Sequence, residues 1–139
     1  MPFDDEDPPY VEPDLELDRL AHEVIGAAIE VHKRLGAGLD EGLYRAALCI
    51  ELTRRNVGFA CEVVVDVKYR DVVIGQKRID LMVGRRLVVE LKAVERLAPV
   101  HGVQLRTYLK ITRCKLGLLI NFNEILLKDG VKRVINPSA

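Results

Sequence analysis

Between Asp18 and Leu35 apolar side chains return every three or four positions, at Leu20, Val24, Ala27, Ala28, Val31 and Leu35. That period places them on one face of a helix, and Gly36-Ala37-Gly38 ends it. A second helix is expected from Glu41 to about Arg55, with Asp40 as N-cap and Asn56 and Gly58 past its end. The period then shortens to two. Ala60 to Tyr69 (ACEVVVDVKY) alternates and is β-branched, Arg70-Asp71 suits a turn, and Val72–Val83 and Leu87–Ala93 continue as strands. Pro99 can open a third helix running to about Thr112. Leu116–Phe122 (LGLLINF) is an uninterrupted apolar run, as expected of a strand covered on both faces. Val131–Ile135 is the last strand, at an edge. The order predicts an α/β fold with a mixed β-sheet: an antiparallel meander, then a crossover helix returning to a further strand.

One segment breaks the apolar pattern. Ile79–Ala93, IDLMVGRRLVVELKA, carries Asp80, Glu90 and Lys92 within its strands. Side chains two apart share a strand face, so Glu90 and Lys92 point one way and Leu87, Val89 and Leu91 the other. On the preceding strand Ile79, Leu81 and Val83 are expected on the core side, with Asp80 opposite. A three-residue loop, Gly84-Arg85-Arg86, pairs Val83 with Leu87 and sets Asp80 against Glu90. A two-residue loop would flip every side chain of one strand. The favoured register brings the two carboxyl-bearing Cβ atoms to about 4.5–5.5 Å. Like charges that close need compensation. A divalent cation supplies it, since converging carboxylates suit Mg²⁺ or Mn²⁺, and Lys92 could then position a water or offset phosphate charge. An ion pair of Lys92 with Glu90 or Asp80 on a solvated sheet face is the plainer alternative.

Composition narrows the class. At 139 residues, 49% apolar and 30% charged, the chain suits one globular domain. No apolar run reaches the length of a membrane helix. Cys49, Cys61 and Cys114 lie far apart, without metal or disulfide spacing, and are expected as small buried hydrophobes in a reducing, cytoplasmic setting. The formal net charge of zero is unevenly spread. Residues 1–18 hold eight acids and no Lys or Arg, leaving 21 basic and 13 acidic groups, a net of +8, on the other 121 residues. A basic body suits a polyanion. Residues 1–17, acidic and Pro-rich, are expected as a flexible tail, with the folded domain spanning 18–139.

Beyond the hairpin, Gln104 and Tyr108 are four apart and share a helical face. They could bind phosphate or Lys92, or simply pack. Glu41 in a first helical turn is stabilised by the helix dipole whatever else it does. Tyr44 reads as core. His22, His32 and His101 form no metal-binding pattern, although His101 could face the same side as Gln104. Arg106, Lys110, Arg113 and Lys115 make a basic cluster around the third helix that could track a phosphate backbone.

Asp80 followed by Glu90-Leu91-Lys92 resembles the D…ExK signature of the PD-(D/E)XK nuclease superfamily. Gly38-Leu39-Asp40-Glu41-Gly42-Leu43-Tyr44 resembles the heptad of its GxxExxY family, and the likeness continues through VVELKAVERL, QLRTYLK, GLLINF and VKRVINP. It covers residues 18–137. The resemblance implies a restriction-endonuclease-like core. It implies Asp80 and Glu90 as metal ligands, with Glu41 and the Leu91 carbonyl as further ligands. Lys92 would be catalytic, with Glu41, Gln104 and Tyr108 assisting. The implied activity is metal-dependent hydrolysis of phosphodiester bonds, with Mg²⁺ or Mn²⁺ as cofactor and nucleic acid as partner, DNA ahead of RNA. The alternative is a silent nuclease-like module that binds nucleic acid or a protein. With aromatics at 5% and no Trp, sequence-specific reading of single strands is not expected. The edge strand at Val131–Ile135 leaves room for a homodimer.

Overall fold

The computed structural model describes residues 13–139. Helix α1 spans Leu15–Leu35 and α2 spans Glu41–Arg54. Strands β1 (Phe59–Tyr69), β2 (Val72–Val83) and β3 (Leu87–Lys92) follow, then α3 (Pro99–Thr112), β4 (Leu116–Asn121), a 3₁₀ turn at Leu127–Gly130 and β5 (Val131–Ile135). The strands form one five-stranded sheet in chain order. Only β3 and β4 run parallel, and α3 makes their crossover; the other pairs are antiparallel.

Helices cover both faces. Leu17, Val24, Ala28 and Val31 of α1 and Leu48 and Leu52 of α2 pack on Leu81, Leu87, Val89, Leu91, Leu118 and Ile120. On the opposite face Leu105 and Leu109 of α3 pack on Ile79, Val88 and Leu119. Cover on both sides explains why β3 and β4 read as apolar runs, β4 being wholly buried. The predicted order and mixed sheet are therefore observed. The far halves of β1 and β2 reach past the helices, and Val72–Arg78 is exposed along its whole length.

Three expectations need correction. Helix α1 begins at Leu15, not Asp18, because the Asp14 carboxylate caps it by accepting from the Leu17 N–H at 2.8 Å. Leu17 extends the apolar stripe by one turn into the core. Residues 15–17 thus belong to the helix, Pro13 and Asp14 lead into it, and residues 1–12 of the expected tail lie outside the described residues. Cys61 is exposed, Cys49 half-buried, and Cys114 alone of the three fully buried. Finally, Ile79 does not share the face of Leu81 and Val83; it joins the cluster under α3. The alternation of β2 therefore breaks at Asp80. The β1 partner is irregular there too: Cys61 pairs with Leu81 and Val63 with Ile79, while Glu62 between them takes a left-handed φ of 50°.

Candidate active site

The hairpin adopts the three-residue register, with Val83 opposite Leu87, Met82 opposite Val88 and Leu81 opposite Val89. Gly84 (φ 59°) and Arg85 (φ 61°) supply the left-handed turn. The ladder then stops one step before Asp80 and Glu90, and carboxylates take over the bonding. The Leu91 N–H donates to Asp80 Oδ2 at 2.8 Å, and the Asp80 N–H donates to Glu90 Oε1 at 3.1 Å. Each acid thus grips the other strand's side of the gap. Both residues are only 8% exposed, which excludes the solvated face considered for them above.

Two further elements aim at this gap. Lys92 ends β3, and its carbonyl accepts from the Phe122 N–H at 2.9 Å on the β4 side. Strand alternation then turns the Leu91 peptide groups to the opposite side, toward β2. Buried Asn121 holds the chain just beyond Lys92, accepting from the Val94 N–H at 3.0 Å and donating to its carbonyl at 2.9 Å. Glu41 arrives from the first turn of α2. Its approach is set by Tyr44, which is fully buried and stacks on Phe122 with centroids 4.5 Å apart. The Tyr44 hydroxyl donates to the Gly36 carbonyl at 2.5 Å and accepts from the Leu39 N–H at 3.1 Å. One core tyrosine therefore ties down the loop that launches Glu41.

The charges feel one another. The Glu90 carboxyl is pushed up to about 7 by burial and then by the Asp80 charge, against the pull of Lys92. Burial, and after it Asp80, also raises Glu41, while Lys92 and Arg45 oppose the rise. Tyr108 on α3 is raised by burial and by Glu90 and Asp80, which puts its phenol within their field. Among the described residues Lys92 closes no salt bridge; the cation against Asp80 is Arg45, at 3.1 Å. Arg45 and its second partner Glu62, at 3.5 Å, were not singled out from the sequence.

Other expected residues stand apart. Gln104 is exposed, one turn before half-buried Tyr108 and without a hydrogen bond to the carboxylates. His101 does not face the site: its Nδ1 accepts from the Ala98 N–H at 3.0 Å and caps α3. His32 contacts the Glu124 carbonyl. Arg106 and Lys110 lie exposed on α3, whereas Arg113 and Lys115 sit before the start of β4, at the end of the parallel pair opposite Lys92.

Among the described residues no three His, Cys, Asp or Glu side chains form a ready-made metal cage. The donor set still fits a hard divalent cation. Mg²⁺ is commonly held by one or two carboxylates, with water and substrate phosphate completing its shell. Buried Asp80 and Glu90 supply two, and Glu41 lies within the field of Asp80. Cysteine and histidine, which would favour a softer ion, are absent from this set.

The chain matches a family model described as the PD-(D/E)XK nuclease superfamily over residues 18–134. Among solved structures it is similar to the crystal structure of SSO0001, with a TM-score of 0.51 and 19% identity, over 69% of this chain and 50% of that one. The chain thus spans half the length of that protein, and the likeness speaks for the fold, a restriction-endonuclease-like mixed sheet flanked by helices. No curated protein matches it.

Proposed function

The chain belongs to the PD-(D/E)XK nuclease superfamily, and from that premise we propose that it is a metal-dependent nuclease of the GxxExxY type. The observation that carries the reading is the pair of buried carboxylates, Asp80 and Glu90, facing each other where the β2–β3 ladder stops. Asp80 and Glu90 are the ligands for Mg²⁺ or Mn²⁺, with Glu41 and the Leu91 carbonyl completing the oxygen set. Bound there, the cation supplies Lewis-acid charge, which makes water nucleophilic near neutral pH and offsets charge on the phosphate. Lys92 orients the attacking water and stabilises the additional charge of the transition state. The Tyr108 phenol and the Gln104 amide donate to phosphate oxygens on the α3 side. Glu41 steadies the water from the α2 side.

DNA is the first substrate to try. Arg106 and Lys110 are exposed on the helix that carries Tyr108 and suit a phosphate backbone. Base stacking has little support among the described residues, since the exposed aromatic, Tyr69, is at the distant tip of the β1–β2 hairpin. The test is cleavage of labelled linear and circular DNA, and of RNA, with Mg²⁺ or Mn²⁺. Lys92→Ala and Asp80→Asn should each lower the rate by a factor of about 10²–10⁴, the scale of one positioned proton-transfer or charge-stabilising group. Unchanged cleavage in both variants, or in EDTA, would refute the assignment.

One observation favours a second reading. Asp80 is already satisfied without a metal, by Arg45 on Oδ1 and the Leu91 N–H on Oδ2. A silent module that binds without cutting would show this, and its nucleic-acid affinity would survive Asp80→Asn unchanged.

A further inference from the structure

A cation of the chain's own already stands among the carboxylates. Arg45 lies one helical turn after Glu41, so the two side chains leave the same face of α2. Its Nη1 is 3.1 Å from Asp80 Oδ1 and 4.0 Å from a Glu41 oxygen. Its Nη2 is 3.5 Å from Glu62 Oε1. One guanidinium therefore meets acids from α2, β1 and β2. It is 24% exposed, so water screens these contacts less than it would at the surface. Glu62 reaches it through a left-handed backbone, φ 50°, inside a strand. A non-glycine residue holds that conformation only where its surroundings impose it.

At Asp80 the Leu91 N–H already takes one lone pair of Oδ2, so, Arg45 apart, Oδ1 is the less encumbered oxygen toward a metal. Arg45 is bonded to that oxygen. We infer that Arg45 is a built-in counter-cation that competes with the divalent metal for Asp80 and must swing away before the metal binds. The inference rests on the metal-site reading given above. Arg45 on this account is a positioning residue. It keeps the acids compatible in the metal-free protein and sets the metal concentration at which the site fills. A ligand that binds only one of two arrangements has its apparent affinity lowered by the population of the other.

The test uses Mn²⁺ alone, without nucleic acid, followed by loss of the free-ion electron paramagnetic resonance signal. The proteins are wild type, Arg45→Gln, Arg45→Met and Asp80→Asn, each checked for folding by circular dichroism. Two uncharged replacements guard against one that folds poorly. Arg45→Gln or Arg45→Met should bind Mn²⁺ at least tenfold more tightly than wild type. Its melting temperature should be lower than wild type in EDTA and rise more when Mn²⁺ is added. Asp80→Asn should lose the binding. Equal or weaker affinity in a folded Arg45 variant, with wild type still binding, would overturn the competition and leave the metal site standing. No binding by wild type or by either Arg45 variant would overturn the metal site, and the competition with it.

Discussion

Glu90 is the side chain whose environment has the most direct consequence for pH. Its carboxyl titrates near 7 in the fold against 4.5 ordinarily, first because it is buried and then because Asp80 is beside it. Between those values the native protein holds a proton that the unfolded chain has released. Stability from this group is therefore full below about 4.5 and is lost as pH rises through about 7. Urea unfolding in EDTA should show a midpoint that declines over that interval, and Glu90→Gln should flatten the decline; equal slopes in the two proteins would contradict it. Mn²⁺ affinity should run the other way, rising through pH 7 with release of a proton, which titration in buffers of different ionisation heat would read. Asp80, Glu90 and Lys92 were legible in the sequence because charge is conspicuous within an apolar strand. Arg45 and Glu62 were not. Glu62 looks like any outward residue of an alternating strand, and a positive φ there has no sequence mark. Arg45 meets Asp80 across 35 positions of chain, a contact that no local period encodes.

The elements hold the site through a few close approaches. Gly117 on β4 is one: a Cβ there would stand 2.9 Å from Leu105 Cδ1 on α3. Gly117→Ala should cost about 1–3 kcal/mol by forcing that helix outward. It should also lower activity through Tyr108, which rides on the same helix. Urea unfolding measures the first effect, and an unchanged midpoint would show that the contact yields freely. Tyr44→Phe tests the other side of the sheet. Losing the hydroxyl leaves the Gly36 carbonyl and Leu39 N–H without their partner. Leu39 is exposed and water can replace part of the bonding, so the loss should be about 0.5–1.5 kcal/mol, and Glu41 should loosen. An unchanged unfolding midpoint would argue against that role. Helix and strand periods were strong enough to place every main element, and the need to keep the apolar faces of both strands on one side picked out the hairpin register that is observed. The break in alternation at Asp80 escaped notice because it arises from two neighbouring strands parting, and an isolated strand cannot signal that. The start of α1 depended on a cap, Asp14, whose orientation Arg86 helps hold from 72 positions away.

At the scale of the whole molecule, the crossover through α3 makes β3 a central strand. Its neighbours are β2 and β4; Glu90 and Lys92 pair with Leu119 and Asn121 of β4, and on the β2 side the Glu90 carboxylate accepts from the Asp80 N–H. Of the basic cluster around α3, Arg113 and Lys115 lie at the end of the parallel pair opposite Lys92, and only Arg106 and Lys110 lie on the helix that carries Tyr108. Nucleic-acid affinity should accordingly weaken as salt rises, with Arg106→Ala/Lys110→Ala giving a shallower slope than wild type. A slope unchanged by the double substitution would move the contact elsewhere. The topology was readable from the order of periods alone, because a buried apolar run after a helix admits few positions in a mixed sheet. The pair at the heart of the proposed site, Asp80 and Glu90, should hold a divalent cation. Calorimetric titration of Mn²⁺ into wild type and into Asp80→Asn/Glu90→Gln tests it most directly. Saturable binding to wild type that vanishes in the folded double variant is the expected result. Undiminished binding by the double variant, or none by either wild type or Arg45→Gln, would contradict it.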